Sequence, residues 1–406
     1  MRVLLSTIGS RGDVQPLVAL ASALRSIGQD VHLCVPPDFR EWIESLDMRV
    51  TPIGPELRKL TASSGAPAGP PTPERARQMV ADMIAGQFEI ITEAAKGSDV
   101  IVGATALQIA PPSVAELLGI PYVFVAYCPT VLPSLHHAPP PLYAIGAPPP
   151  PTADNAELWA RSAARFNVTF RELLNEHRQR LGLAPVTDMQ GHVLTDHPWL
   201  AADPALGPWP EPGDERVFQP GAWIVRDERP LAPQLESFLD EGEPPVYFGF
   251  GSMRATPDLA EVVVQAARRL GRRAVVSRGW ANVSLTDSAP DCIAIDDVNH
   301  HALFPRVAAV VHHGGAGTTT SAALAGMPQV IVPQMYDQMY WAQRIQELGI
   351  GAAHPRGAPV LDTLTTALRT ALTPGVTATA RTFGAKVRTD GALRSAARLH
   401  AAYARR

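Results

Sequence analysis

Between Val310 and Gln338 the sequence reads VVHHGGAGTTTSAALAGMPQVIVPQMYDQ, and its residue types are those an anion site requires. Gly314, Gly315 and Gly317 remove the Cβ atoms that would hold backbone N–H groups away from a ligand. A helix opening behind them presents unpaired N–H donors and a partial positive charge, which suits a phosphate. His313 adds a side-chain donor, Thr318 a hydroxyl in the first helical turn, and Asp337-Gln338 a polar pair for a hydroxyl-rich group. Near the N-terminus, Gly9-Ser10-Arg11-Gly12-Asp13 sets a carboxylate at a second strand-to-helix turn. Asp13 has two readings: a helix cap, or a general base that takes the proton of an attacking hydroxyl.

These residues need elements to hold them. Val307 to Val311 reads as a fully buried parallel strand, and a helical run follows the glycines through Leu324. Gly326-Met327-Pro328 stops it, and Gln329 to Val332 begins the next strand, completing a right-handed crossover. The open end of such a sheet is where a ligand sits. The N-terminal half shows the same plan. Val3 to Ile8 is a strand, Pro16 to Ile27 a helix closed by Gly28, and Val31 to Val35 a strand. Glu74 to Lys96 predicts a helix, Asp99 to Gly103 a strand, then a short helix to Gly119 and a strand over Tyr122 to Tyr127. The second half restarts with Val246 to Gly249, a Gly251-Ser252 turn, a helix over Asp258 to Leu270 and a strand over Arg273 to Ser277. FGFGS there echoes STIGS near the start, as duplicated domains would.

The fold expected is therefore α/β, with two Rossmann-like doubly wound domains. We place an N-terminal domain at 1–226, a linker rich in Pro, Glu and Gly at 227–245, a C-terminal domain at 246–385 and a terminal helical segment at 386–406. Asp154 to Leu181 predicts a long amphipathic helix whose Trp159, Phe166 and Phe170 face a core, and His192 to Leu200 a strand. Thr61 to Pro73 has no apolar period and reads as a loop. Pro129 to Pro151 holds nine prolines interleaved with His136, His137, Leu142 and Tyr143. Regular structure is excluded there, and a stiff apolar and aromatic loop either grips a large acceptor or is a surface excursion.

Composition narrows the classes. A net charge of −4 with scattered Lys and Arg gives no footprint for nucleic acid. Cys34, Cys128 and Cys292 lie far apart without metal-ligand spacing, so a reducing, cytoplasmic setting is expected and no metal centre. No apolar run approaches the length of a membrane span. Gly9-x-x-Gly12 is not the G-x-G-x-x-G fingerprint, and no acidic residue closes the second strand, which argues against a nicotinamide oxidoreductase.

HHGGAGTT followed by PQ and DQ, with GSRGD, DHPWLAADP, GAWIVRDERPL and SRGW elsewhere, resembles the nucleotide-sugar glycosyltransferases of GT-B architecture, a fold of two Rossmann-like domains facing a cleft, which implies that the terminal helix of 386–406, with Ala392 to Ala404 the candidate, packs back on the N-terminal domain. Among them the likeness is to the enzymes that decorate glycopeptide antibiotics. It implies that His313 and the amides of Gly315, Ala316, Gly317 and Thr318 hold a donor diphosphate, while Asp337 and Gln338 hold sugar hydroxyls. It makes Asp13 the general base, puts Ser10, Arg11 and Ser252 near the phosphates, and brings Arg278, Trp280 and the backbone around Val298 to the nucleotide. Plant relatives carry a ribose-binding glutamate where this chain has Ser321, so no ribose ligand is carried over there. His136, Leu142 and Tyr143 are the acceptor candidates. The implied reaction moves a hexose or deoxyhexose from a UDP- or TDP-sugar to a hydroxyl of a bulky hydrophobic or peptide product. It inverts the anomeric carbon and needs neither cofactor nor metal, since Asp296-Asp297 is adjacent rather than spaced as D-x-D. A glycopeptide is the acceptor expected. Two alternatives are a macrolide or aromatic polyketide acceptor, and a catalytically silent helper; retention of Asp13, His313 and Asp337-Gln338 argues against the helper.

Overall fold

A computed structural model describes residues 1–62, 72–105, 107–140, 153–253, 256–285 and 289–404. Its strands fall into two sheets. The first joins β1 (Arg2–Thr7), β2 (Asp30–Val35), β3 (Arg49–Pro52), β4 (Val100–Ala104), β5 (Tyr122–Ala126) and β6 (Trp199–Leu200) in the order β3-β2-β1-β4-β5-β6. The second joins β7 (Val246–Gly249), β8 (Ala274–Ser277), β9 (Cys292–Ile295), β10 (Ala309–His312), β11 (Gln329–Ile331) and β12 (Gly351–Ala353) in the order β12-β11-β10-β7-β8-β9. Every pairing is parallel.

Both sheets are doubly wound, as expected. The strand order reverses between β1 and β4 in one and between β7 and β10 in the other, and such switch points open a crevice at the carboxyl ends of the strands. Helices on both faces account for the continuous apolar strands: Val3, Leu4 and Leu5 of β1, and Ala309, Val310 and Val311 of β10, are fully buried.

The chain divides into two compact units. One comprises Met1–Ala202, Pro208–Val225 and Thr389–Arg406, the other Asp203–Gly207 and Arg226–Arg388. In the first, the terminal helix Gly391–Tyr403 packs on the helix Arg11–Ser26, and Ser395 Oγ accepts the indole N–H of Trp223 at 2.8 Å. In the second, Asp203 Oδ2 accepts the Arg388 N–H at 2.8 Å and Arg344 Nε donates to the Leu206 carbonyl at 2.9 Å. Those bonds fasten the five residues of Asp203–Gly207 to the unit that holds β7 to β12.

Four elements differ from the sequence-based expectation. His192–Leu200 is not a strand: Met189–Leu194 is a helix with Asp188 accepting the Gln190 N–H, and only Trp199–Leu200 pairs with β5. Met189, Val193 and Leu194 are buried, a helical spacing that outweighs the β-branched Val193. The first helix starts at Arg11 rather than Pro16, so Asp13 sits inside its first turn. Within Asp227–Pro245 a helix, Pro233–Asp240, buries Leu235, Phe238 and Leu239, so that stretch is packed structure of the second unit rather than an extended connector. The short strands β3 and β9 fall outside the expectation: RVTP mixes polar residues with a proline, and CIAI is apolar but only four residues long and half-buried. Trp159 and Phe170 are core residues, as expected. Leu142 and Tyr143, most of the loop between Thr61 and Pro73, and Arg405 and Arg406 lie outside the described residues.

Candidate functional site

The second unit assembles most of the expected residues along one rim. Each follows the carboxyl end of a strand: Ser252 comes after β7, Arg278 and Trp280 after β8, Val298 after β9, His313 after β10 and Asp337 after β11. His312 pairs in register with Gly249 on one side and Ile331 on the other, which aligns the three central turns.

Close contacts tie these turns together. A Cβ on Gly251 would lie 3.0 Å from His313 Cε1, and one on Gly315 would lie 2.8 Å from His313 Nε2, so the imidazole fits between two residues that lack one. The Trp280 N–H donates to the Gly251 carbonyl at 2.9 Å, and a Cβ on Gly279 would lie 2.5 Å from that same oxygen. Gly314, at φ +96°, leaves room for Ile331 and Gln338. Gly317 is different: among the described residues nothing lies within 4 Å of where its Cβ would be, so none of them accounts for its being glycine. It opens the helix Ala316–Leu324, whose first N–H groups have no intrahelical acceptor. Thr319 and Thr320 turn their hydroxyls back to the Gly315 and Ala316 carbonyls.

The adjacent histidines do different work. His312 is fully buried, its Nδ1 accepting the Gly314 N–H at 3.1 Å and its Nε2 facing Gln329 Oε1 at 2.9 Å. The Gln329 amide reaches the Thr319 carbonyl at 3.2 Å. This pair shapes the turn. The sequence reading gives the donor role to His313 alone and assigns none to His312, and alternation along a strand, which sends consecutive side chains to opposite faces, is the signal for its structural part. Burial depresses the His312 pKa to about 3 and that of His313 to about 4, so both rings are neutral at neutral pH. The Gly249 carbonyl lies against the His313 ring, and His313 Nδ1 is buried without a hydrogen-bond partner among the described residues.

Asp337 stands at the N-cap position of the helix Gln338–Glu347 without a side-chain cap bond, and its Oδ2 accepts the Trp341 indole N–H at 3.0 Å. Burial raises its pKa to about 6. Gln338 is turned inward: its Oε1 accepts the N–H groups of Gln334 (2.7 Å) and Met335 (3.1 Å), and its Nε2 lies 3.5 Å from Met253 Sδ. At the other end of the rim Arg278 pairs with Asp296 at 3.5 Å, and Asp297 with Arg229 at 3.1 Å. Val298 packs into the core beneath. Among the described residues no three His, Cys, Asp or Glu side chains gather as a metal site.

Two family profiles match the chain in sequence: the glycosyltransferase family 28 N-terminal domain over residues 3–135 and the erythromycin biosynthesis protein CIII-like C-terminal domain over 261–395. The vancomycin aglycone glucosyltransferase of Amycolatopsis orientalis is 48% identical over 397 residues, covering 97% of this chain and 95% of that protein. The chain belongs to the vancomycin-group family of GT-B glycosyltransferases. Glycosyltransferase GtfE of the same organism is 47% identical and covers 99% and 98% of the two chains. The crystal structure of the glycotransferase of kitacinnamycin has the same fold, with a TM-score of 0.73 at 18% identity and 98% of each chain covered. So does the spinosyn rhamnosyltransferase complexed with thymidine diphosphate, at TM-score 0.67 and 19% identity, covering 98% and 100%.

In this glycosyltransferase Asp13 belongs to the first unit. Its Oδ2 accepts the Ser10 N–H at 2.7 Å and the Ser10 hydroxyl at 3.2 Å, a capping box at the start of the helix. Gly9 is obligatory there, because its Cβ would stand 2.2 Å from that carboxylate oxygen. The Tyr127 hydroxyl donates to the Asp13 carbonyl at 3.1 Å. Arg11 bonds Gln15 at 3.1 Å and lies over the Trp42 ring, so within its unit it braces the turn. Beside them, after β4, Thr105 has φ +75°, and its hydroxyl and both polar atoms of the Gln108 amide are buried without partners. A β-branched residue in the left-handed region at a switch point marks stored strain, a signal the sequence does not carry. His136 is exposed, whereas His137 packs edge-on against Trp159 and Trp209. Among the described residues no helix is long and apolar enough to cross a membrane.

Proposed function

We propose that this glycosyltransferase moves a hexose or deoxyhexose from a UDP- or TDP-sugar to a hydroxyl of a glycopeptide aglycone, with inversion and without a metal. The observation that carries the donor half is Gly317, a glycine with open space over it at the N-terminus of the helix Ala316–Leu324, beside His313. A diphosphate accounts for that space: the Gly315 to Thr318 amides and the helix dipole meet its charge, with Ser252 across the switch point. Asp337 takes the sugar hydroxyls, while Gln338, its oxygen spent on the turn, offers at most its amide N–H. Arg278, Trp280 and the backbone at Val298 take the nucleoside.

The absence of a metal requirement rests on the chemistry of this donor set, in which amides and an imidazole meet phosphate charge while Asp296 and Asp297 each face an arginine. Asp13 takes the acceptor proton as the hydroxyl attacks the anomeric carbon, displacing the nucleoside diphosphate in one step and inverting the centre. Ser10 and Arg11 enter through the turn that orients Asp13. His136, exposed in the loop after β5, offers the acceptor a polar contact. The glycopeptide is inferred from the vancomycin aglycone glucosyltransferase and its relatives.

The test is a mass-spectrometric transfer assay pairing UDP-glucose and TDP-sugars with vancomycin-type aglycones, macrolide aglycones and aromatic polyketides, with and without EDTA. A glycosylated peptide of inverted anomeric configuration, formed equally in EDTA, is expected. Transfer to the polyketides alone would overturn the acceptor reading, and loss of turnover in EDTA the metal-free one.

A further inference from the structure

Asp337 is held by more than its place at a helix start. The residue before it, Tyr336, has φ +51°, a strained value for an aromatic side chain, so the turn from Gln334 to Asp337 must be fixed from outside. Gln338 Oε1 holds the Gln334 and Met335 N–H groups, and Arg356 Nε donates to the Gln334 carbonyl at 3.1 Å. The carboxylate itself is held by Trp341, one helical turn on.

Trp341 is 1% exposed. A phenylalanine would fill a core position equally well, but the indole carries an N–H, and that N–H is committed to Asp337 Oδ2. The far edge of the ring meets Gly207, where a Cβ would lie 2.7 Å from Cη2. Gly207 ends the short segment Asp203–Gly207, which is itself tightly fastened. Asp203 Oδ1 accepts the Ala205 and Leu206 N–H groups at 2.9 and 3.0 Å, the Gly207 N–H donates to the Asp203 carbonyl at 2.7 Å, and Arg344 grips the Leu206 carbonyl.

We propose that Trp341 is a positioning residue for sugar transfer: its N–H fixes the Asp337 carboxylate in the orientation that meets the donor's sugar, and the segment Asp203–Gly207 fixes the indole. This rests on the reading of Asp337 as a sugar ligand. The charged groups on the elements packed against Asp337 are engaged elsewhere: Arg344 with Leu206 and Glu347, Arg356 with Gln334, and Asp203 with backbone N–H groups. The indole N–H is thus the side-chain donor that favours the ionised carboxylate against the cost of its burial.

Three variants test this: Trp341→Phe, Gly207→Ala and Asp337→Asn, each compared with wild type for kcat/KM on the nucleotide sugar, nucleoside diphosphate Kd and the pH dependence of kcat/KM. Trp341→Phe is expected to leave the Kd unchanged and to lower kcat/KM ~10- to 100-fold through misplacement of the ligand. Its acid limb should move to higher pH, because the lost N–H had stabilised the charged form. Gly207→Ala should act in the same direction and covers the case in which Trp341→Phe fails to fold. An unmoved acid limb and unchanged kcat/KM in these two, with Asp337→Asn impaired, would overturn the proposal. Unimpaired Asp337→Asn would overturn the sugar reading of Asp337 instead.

Discussion

His313 is neutral in the free protein, and its two nitrogens face different surroundings. Nδ1 is buried without a hydrogen-bond partner among the described residues, while Nε2 lies toward Gly315 and the helix start. A bound diphosphate puts negative charge beside Nε2 and raises the ring's pKa from about 4. Nucleoside diphosphate binding should take up more protons in wild type than in His313→Ala at the same pH, read by calorimetry in buffers of different ionisation enthalpy. Equal uptake would mean that the ring only packs. The lowered pKa also bears on stability. The folded protein holds His312 and His313 neutral, so their contribution is complete above the ordinary value of 6.5 and is lost as pH falls toward about 4. Asp337 sets a separate limit on function: sugar binding should weaken as pH falls through about 6, where the carboxylate takes a proton and ceases to accept hydroxyl hydrogens.

The structure shows Asp13 as a helix cap, and under the proposed function it serves as the base as well. Its Oδ2 caps the helix start, and the capping fixes the rotamer that a base needs. Asp13→Asn should therefore cut transfer by ~10²- to 10⁴-fold while nucleoside diphosphate affinity persists. Turnover at the wild-type rate would leave Asp13 a cap alone. That His313 and Gly317 stand at a strand-to-helix turn was legible because an apolar run precedes them and a helical run follows. Gln338 was not: a glutamine at a helix start can satisfy the turn or a ligand, and spacing does not say which. Trp341 was hidden for a similar reason, since a tryptophan at helical spacing reads as core and its N–H leaves no mark on the pattern.

Among elements, the glycine-rich turn separates folding from binding within four residues. Gly314 has a left-handed backbone and would drive a Cβ to 2.7 Å from Ile331, whereas Gly317 is open. Gly314→Ala should lower the melting temperature markedly, at a cost of about 1–3 kcal/mol for the strained backbone alone. Gly317→Ala should fold normally and lose nucleoside diphosphate affinity by ~10-fold or more, since helical alanine is favoured and the new methyl enters the ligand's space. Retained affinity in Gly317→Ala would remove the diphosphate from that turn. The alternating strands and helices were legible because buried parallel strands are continuous apolar runs. β6, two residues long, and β3, whose RVTP mixes polar residues with a proline, leave no such run to read.

For the whole molecule, the terminal helix is part of the first unit. Ala396 and Leu399 are fully buried, and Ser395 holds the Trp223 indole. Truncation after Asp390 should destabilise the first unit's thermal transition and leave intact the shift that a nucleoside diphosphate gives the second. That shift is about 2.7 kcal/mol at a hundredfold excess over Kd. Loss of the nucleotide-dependent shift on truncation would show that the second unit does not bind its ligand on its own residues. The sequence announced two α/β halves through their repeated Gly-Ser turns, and the family resemblance implied the return of the terminal helix to the first half, but the excursion Asp203–Gly207 was not legible, because five residues leave no period to read.

That exchange bears on recombination. The chain passes from one unit to the other after Ala202, Gly207, Val225 and Arg388. A chimera joined once, at Val225, would give the first unit a foreign terminal helix and the second a foreign Gly207 against Trp341. Swapping the two units among relatives should therefore succeed only when residues 203–207 travel with the second unit and residues 389–406 with the first.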